Sequence, residues 1–173
     1  RAGVVRRIAR GLYHHPRRNE RLGIDVPASM DEVAEALARQ TGSRVVPSGA
    51  VAAHRLGLSG QVPSRPVYLT DGRSRTVRVG EAIVRLERTP PKLMPAGSRV
   101  STLVIQALQH LGREAVDERV VRRLRRRLSS VERVRLLDDA RYATAWIAAV
   151  ARRIAADTES KEPDHPGEDL ASG

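Results

Sequence analysis

Residues 47–72, PSGAVAAHRLGLSGQVPSRPVYLTDG, constrain this chain more than any other segment, because Gly, Pro, Gln and Tyr follow one another there in an order too particular for generic core sequence. Ser48 stands where it can cap a short helix of small residues, Gly49, Ala50, Ala52 and Ala53, and Gly57 supplies a stop. Small side chains let such a helix approach its neighbour closely. Pro63 and Pro66 then bias the exit toward extended backbone, so residues 67–70 read as a strand.

Around this segment short strands alternate with amphipathic helices, which predicts a mixed α/β (α+β) body. Residues 4–8 and 12–14 read as two strands turning at Ala9-Arg10-Gly11, and residues 16–29 read as a linker. Ser29 and Glu32 have the spacing of a capping box, so a helix is expected to run to about Gln40, with Val33, Ala34, Leu37 and Ala38 as its apolar stripe and Thr41-Gly42 as its end. Residues 44–46 read as a short strand. Strands at 67–70, 76–79 and 82–87, with turn residues Asp71-Gly72 and Gly80-Glu81 between them, predict a small antiparallel meander with one buried and one basic face. Pro90-Pro91 ends that pattern. Packed helices are then expected at 98–111 and 117–128, from Ser129, where Glu132 completes a second capping box, and at 143–155 as a C-terminal helical segment.

A chain of 173 residues with 40% apolar content can bury one respectable core or two small ones. Its net charge of +11 favours a polyanionic partner: DNA, RNA or an anionic membrane face. The lack of cysteine removes disulfides, thiol nucleophiles and cysteine-based zinc sites, and fits a reducing cytosol. No apolar run approaches the roughly 18 residues of a membrane span, so a cytoplasmic location without a membrane partner is expected. Aromatic residues make up 2% of the chain with no Phe, which argues against a stacked-ring platform for single strands.

The charge is concentrated. The first 21 residues hold seven arginines against Glu20 alone, and the helix at 117–128 sets Arg119, Arg122, Arg123, Arg125, Arg126 and Arg127 around a stripe of Val120, Val121, Leu124 and Leu128. Arg6, Arg7 and Arg10 in the first hairpin, and Arg122, Arg123, Arg126 and Arg127 in the helix, are the candidate nucleic-acid contacts, chosen by charge and expected exposure. The plainer alternative is a solvated helix face balanced by Glu114, Asp117 and Glu118.

Catalytic patterns are weak, and no enzyme, cofactor or metal site is expected. Ser48, His54 and Asp71 contain the residue types of a hydrolase triad without its strand-turn-helix context. Adjacent His14 and His15 point to opposite faces of a strand, and Asp138-Asp139 reads as a helix end.

The order Ser-Gly-Ala, Leu-Gly-Leu-Ser, Gln-Val-Pro and Tyr-Leu-Thr-Asp-Gly in residues 47–72 resembles the AbiEi-like antitoxins of type IV toxin–antitoxin (abortive infection) systems. RIARGLYHHP at 7–16 looks like the wing that closes that family's N-terminal winged helix, and DDARYATAWIAAVARRIA at 138–155 looks like its C-terminal helix, so the resemblance spans about nine-tenths of the chain. His54 stands where an amide is expected and Gly60 where a hydroxyl is expected. The resemblance implies a remnant of a winged helix-turn-helix at 1–28, opening inside the wing without the recognition helix, and an antitoxin domain with C-terminal helices at 29–156; the polar, Pro-bearing, acidic composition of 157–173 reads as a disordered tail. The resemblance also implies a non-enzymatic antitoxin that binds operator DNA, represses its own operon and counteracts a nucleotidyltransferase-like toxin, with or without a stable complex. The alternative is a general RNA-binding or ribosome-associated basic module with no toxin partner.

Overall fold

The computed structural model describes residues 6–9, 12–14, 17–19, 24–26, 28–79, 81–91 and 94–156. Within them the fold is mixed α/β, a four-stranded mixed sheet with six α-helices, the last of which form a C-terminal helical segment. The expected tail at 157–173 lies outside the described residues.

At the N-terminal end, β1 (Arg6–Ala9) and β2 (Leu12–His14) form the expected antiparallel hairpin. The linker expected at 16–29 is instead a second hairpin, β3 (Arg17–Asn19) with β4 (Ile24–Val26). Its register sets Arg18 opposite Asp25 and Asn19 opposite Ile24, and the β-branched Ile24 and Val26 suit a pleated backbone. Three-residue strands bracketed by Pro16, Gly23 and Pro27 are too short to show alternation, which is why breakers dominate the sequence pattern there.

The helix α1 (Met30–Thr41) starts at the expected box: the Glu32 N–H donates to Ser29 Oγ at 3.2 Å and the Ser29 N–H to Glu32 Oε2 at 2.9 Å. Val33, Ala34, Leu37 and Ala38 are all buried. After β5 (Val45–Pro47) comes α2 (Gly49–Arg55), with Ser48 at its N-cap position. Contrary to expectation, the Ser48 side chain makes no capping bond; its N–H instead joins the Val67 carbonyl at 3.0 Å. At the other end, Gly57 takes φ +68°, and the N–H groups of Gly57 and Leu58 close on the carbonyls of His54 and Ala53. That pair of bonds needs a left-handed residue at Gly57.

Strands β6 (Val67–Thr70), β7 (Arg75–Val79) and β8 (Ala82–Arg88) do not make the expected meander. The order is β5-β6-β8-β7, with β6 and β8 parallel and the other pairs antiparallel. Two causes are visible. The Asp71 carboxylate accepts the Arg44 N–H at 2.7 Å and Gly72 sits against Ser43, which ties the chain after β6 to the α1–β5 loop instead of folding it back into a hairpin. β8, with Val84 and Leu86 buried, takes a central place, while β7, with Arg75 and Arg78 exposed, takes an edge. The expected division of faces holds: Tyr68, Val84 and Leu86 pack toward α1, and Arg78 and Arg85 stand exposed on the other face.

The remaining helices are α3 (Arg99–Leu111), α4 (Glu118–Arg127), α5 (Ser130–Asp139) and α6 (Ala145–Ala155). They bury Val104, Leu108, Val121, Leu124, Leu136, Ile147 and Ile154 in a helical core separate from the one between α1 and the sheet. α2 serves both, giving Val51 to the sheet core and Ala52 and Ala53 to the helical core. A Cβ on Gly49 would lie 2.4 Å from His110 Cβ and 2.8 Å from the Gln106 carbonyl oxygen, so α2 and α3 touch as closely as the run of small residues predicts.

Candidate nucleic-acid interface

The basic helix α4 opens at Asp117, whose carboxylate accepts the N–H groups of Arg119 and Val120 at 2.9 and 3.0 Å. Val121 and Leu124 are fully buried and Val116 and Leu128 nearly so, which fixes the rotation of the helix. Its last turn holds Arg125, Arg126 and Arg127, where the helix dipole favours cations. Both flanks are then pinned. On one, Arg123 donates to the Gly57 carbonyl; on the other, Arg125 donates to the Arg153 carbonyl and Glu118 pairs with Arg153 at 2.6 Å. The hydrogen bond from Arg153, reinforced by its charge and those of Arg122 and Arg125, holds the Glu118 carboxyl below its ordinary range.

Arg119, Arg122 and Arg126 stand at i, i+3 and i+7 on the exposed face and, with Arg123, the capping Asp117 and the apolar Leu58, Ala115 and Val120, line a shallow groove of about 540 Å³. Among the described residues no carboxylate pairs with Arg119, Arg122 or Arg126, or with Arg127, which is also exposed. Of the four helix arginines chosen from sequence, Arg122, Arg123 and Arg126 line this groove and Arg127 lies outside it, and Arg123 is also held by its bond to Gly57. The structure adds Arg119, whose signal was its spacing from Arg122 and Arg126. Arg6 and Arg7 fall on β1, at register positions opposite His14 and Tyr13, and β1 adjoins edge strand β7; Arg10 lies outside the described residues.

A second polar region lies in a cleft of about 300 Å³ between α1, β5, β6 and α3. The Tyr68 hydroxyl donates to Asp31 Oδ1 at 2.6 Å, Arg55 Nε lies 3.4 Å from Asp31 Oδ2, and Arg99 pairs with Glu35. Burial, with the hydrogen bond to Asp31, pushes the Tyr68 phenol well above its ordinary range. Each charge here already has a partner, so the network fastens α1 to the sheet, α2 and α3.

The triad types are dispersed: Ser48 begins α2, the buried His54 Nδ1 makes no hydrogen bond, and Asp71 holds Arg44. Asp138 pairs with Arg141 at 2.6 Å, whereas Asp139 accepts the Ser98 N–H at 2.9 Å. Burial raises the Asp139 carboxyl, but hydrogen bonds from Ser101 and Ser98 and the charge of Arg135 together outweigh it and hold the group below its usual range. Among the described residues, no group of three or more His, Cys, Asp or Glu is placed to hold a metal ion, and no helix is long and apolar enough to cross a membrane.

No curated protein and no solved structure matches the chain. Residues 1–136 match DUF6088, a family of unknown function, and the chain belongs to that family.

Proposed function

We propose that this protein contacts the backbone of duplex DNA through α4 and acts as the antitoxin of a type IV toxin–antitoxin module, repressing its operon and counteracting a nucleotidyltransferase-like toxin without catalysis of its own. The observation that carries the nucleic-acid reading is the exposed row Arg119, Arg122 and Arg126, held by a helix whose flanks are fastened to the turn after α2 and to α6. Guanidinium groups on a rigid helix suit phosphate contacts, and each phosphate neutralised releases counterions. α4 carries no aromatic ring and Trp146 packs against the helical core, which favours backbone contact over base stacking. Support for the antitoxin assignment is the resemblance of residues 47–72, and for the wing contacts the arginines Arg6, Arg7 and Arg10.

Co-expression with the protein encoded beside it tests the antitoxin role. Rescue of growth is the expected result, and persistent arrest with folded antitoxin present removes the assignment. A mobility-shift assay on the operon promoter tests the DNA role separately. Preference for structured RNA over that promoter would favour the general RNA-binding reading, and indifference to substitution of Arg6, Arg7 and Arg10 would remove the wing.

A further inference from the structure

Residues 157–173 carry six carboxylates, Asp157, Glu159, Glu162, Asp164, Glu168 and Asp169, against the single cation Lys161. The C-terminal end of helix α6 lies against α4. Arg153 pairs with Glu118, Arg125 donates to the Arg153 carbonyl, and the Ala156 N–H closes on the Arg152 carbonyl at 2.9 Å. In sequence, the first of the acidic residues, Asp157, follows Arg153 by four positions. A segment of that length reaches up to about 60 Å when extended, against about 15 Å for the whole of α4.

From this geometry and charge complementarity we infer that residues 157–173 dock in cis on the arginine face Arg119, Arg122 and Arg126, occupying the surface that a nucleic-acid backbone would use. The inference rests on the reading of α4 as a polyanion-binding surface and adds its regulation. Tethering gives the segment an effective concentration on the order of millimolar, enough to exclude weak, sparse polyanions. Duplex DNA presents about one charge per 1.7 Å and displaces it. The segment therefore raises the threshold for non-specific binding.

The test compares the full chain with a variant carrying D157N, E159Q, E162Q, D164N, E168Q and D169N, which changes none of the described residues. In amide proton–nitrogen NMR spectra at low salt, the signals of α4 should differ between the two, and the difference should collapse at ~1 M salt, where the screening length is about 3 Å. The variant should also bind a short random-sequence DNA duplex roughly three- to ten-fold more tightly at ~50 mM salt. Unchanged α4 signals would overturn the docking whatever the DNA result. Shifted α4 signals with equal DNA affinity in both proteins would overturn the competition. Shifted signals with no DNA binding by either protein would support the docking and remove the nucleic-acid reading of α4 instead.

Discussion

At the scale of single residues, Gly49 and Asp139 show how little room the packing leaves. Gly49→Ala places a methyl group inside contact distance of His110 and Gln106, and should cost about 1–3 kcal/mol in chemical denaturation. An unaltered midpoint would mean that α2 and α3 are further apart than described. Asp139 is held below the usual carboxylate range, so the unfolded chain takes up a proton there before the folded one does. Its contribution is present above the unfolded-state pKa and is lost as pH falls through the lower folded-state value. The stability gap between the natural protein and Asp139→Asn should accordingly be widest near neutrality and close on acidification; a gap independent of pH would contradict the bonds to Ser98 and Ser101. Tyr68→Phe removes the donor to Asp31 and should cost about 1–2 kcal/mol, measured by the same denaturation.

At the scale of elements, α1 and α5, which start at serines with full capping boxes, and α2, whose Ser48 side chain makes no capping bond, give a direct comparison. Ser29→Ala and Ser129→Ala should each cost about 1 kcal/mol, whereas Ser48→Ala should cost a few tenths at most, because its side chain makes no capping bond. Equal losses at all three, read from thermal midpoints, would count against the assigned cap geometry. The boxes were legible in the sequence because each is a pattern four residues long whose meaning is local. The same holds for the buried stripes of α1 and α4, which follow helical spacing alone. Strand order was not legible. Placing β8 between β6 and β7 depends on Asp71 reaching Arg44 and on the burial of Val84 and Leu86 against α1, contacts between residues far apart in the chain. Nor did helical spacing separate Arg123, which holds Gly57, from Arg119, which faces solvent: it gives each side chain an angle but not a neighbour.

At the scale of the whole molecule, two cores share α2, and the charged groups divide into those that fasten elements and those left on the surface. Arg55, Arg99, Arg123 and Arg153 belong to the first kind, and Arg119, Arg122 and Arg126 to the second. The most direct measurement is the affinity of the chain for duplex DNA over a salt series, set beside the triple variant Arg119→Gln, Arg122→Gln, Arg126→Gln. The natural protein should show a steep fall in log affinity with log salt, and the variant, folded to the same midpoint, a slope shallower by roughly two to three units, about one for each phosphate that the substituted side chains no longer neutralise. Identical slopes in the two proteins would contradict the assignment of α4 as the nucleic-acid surface.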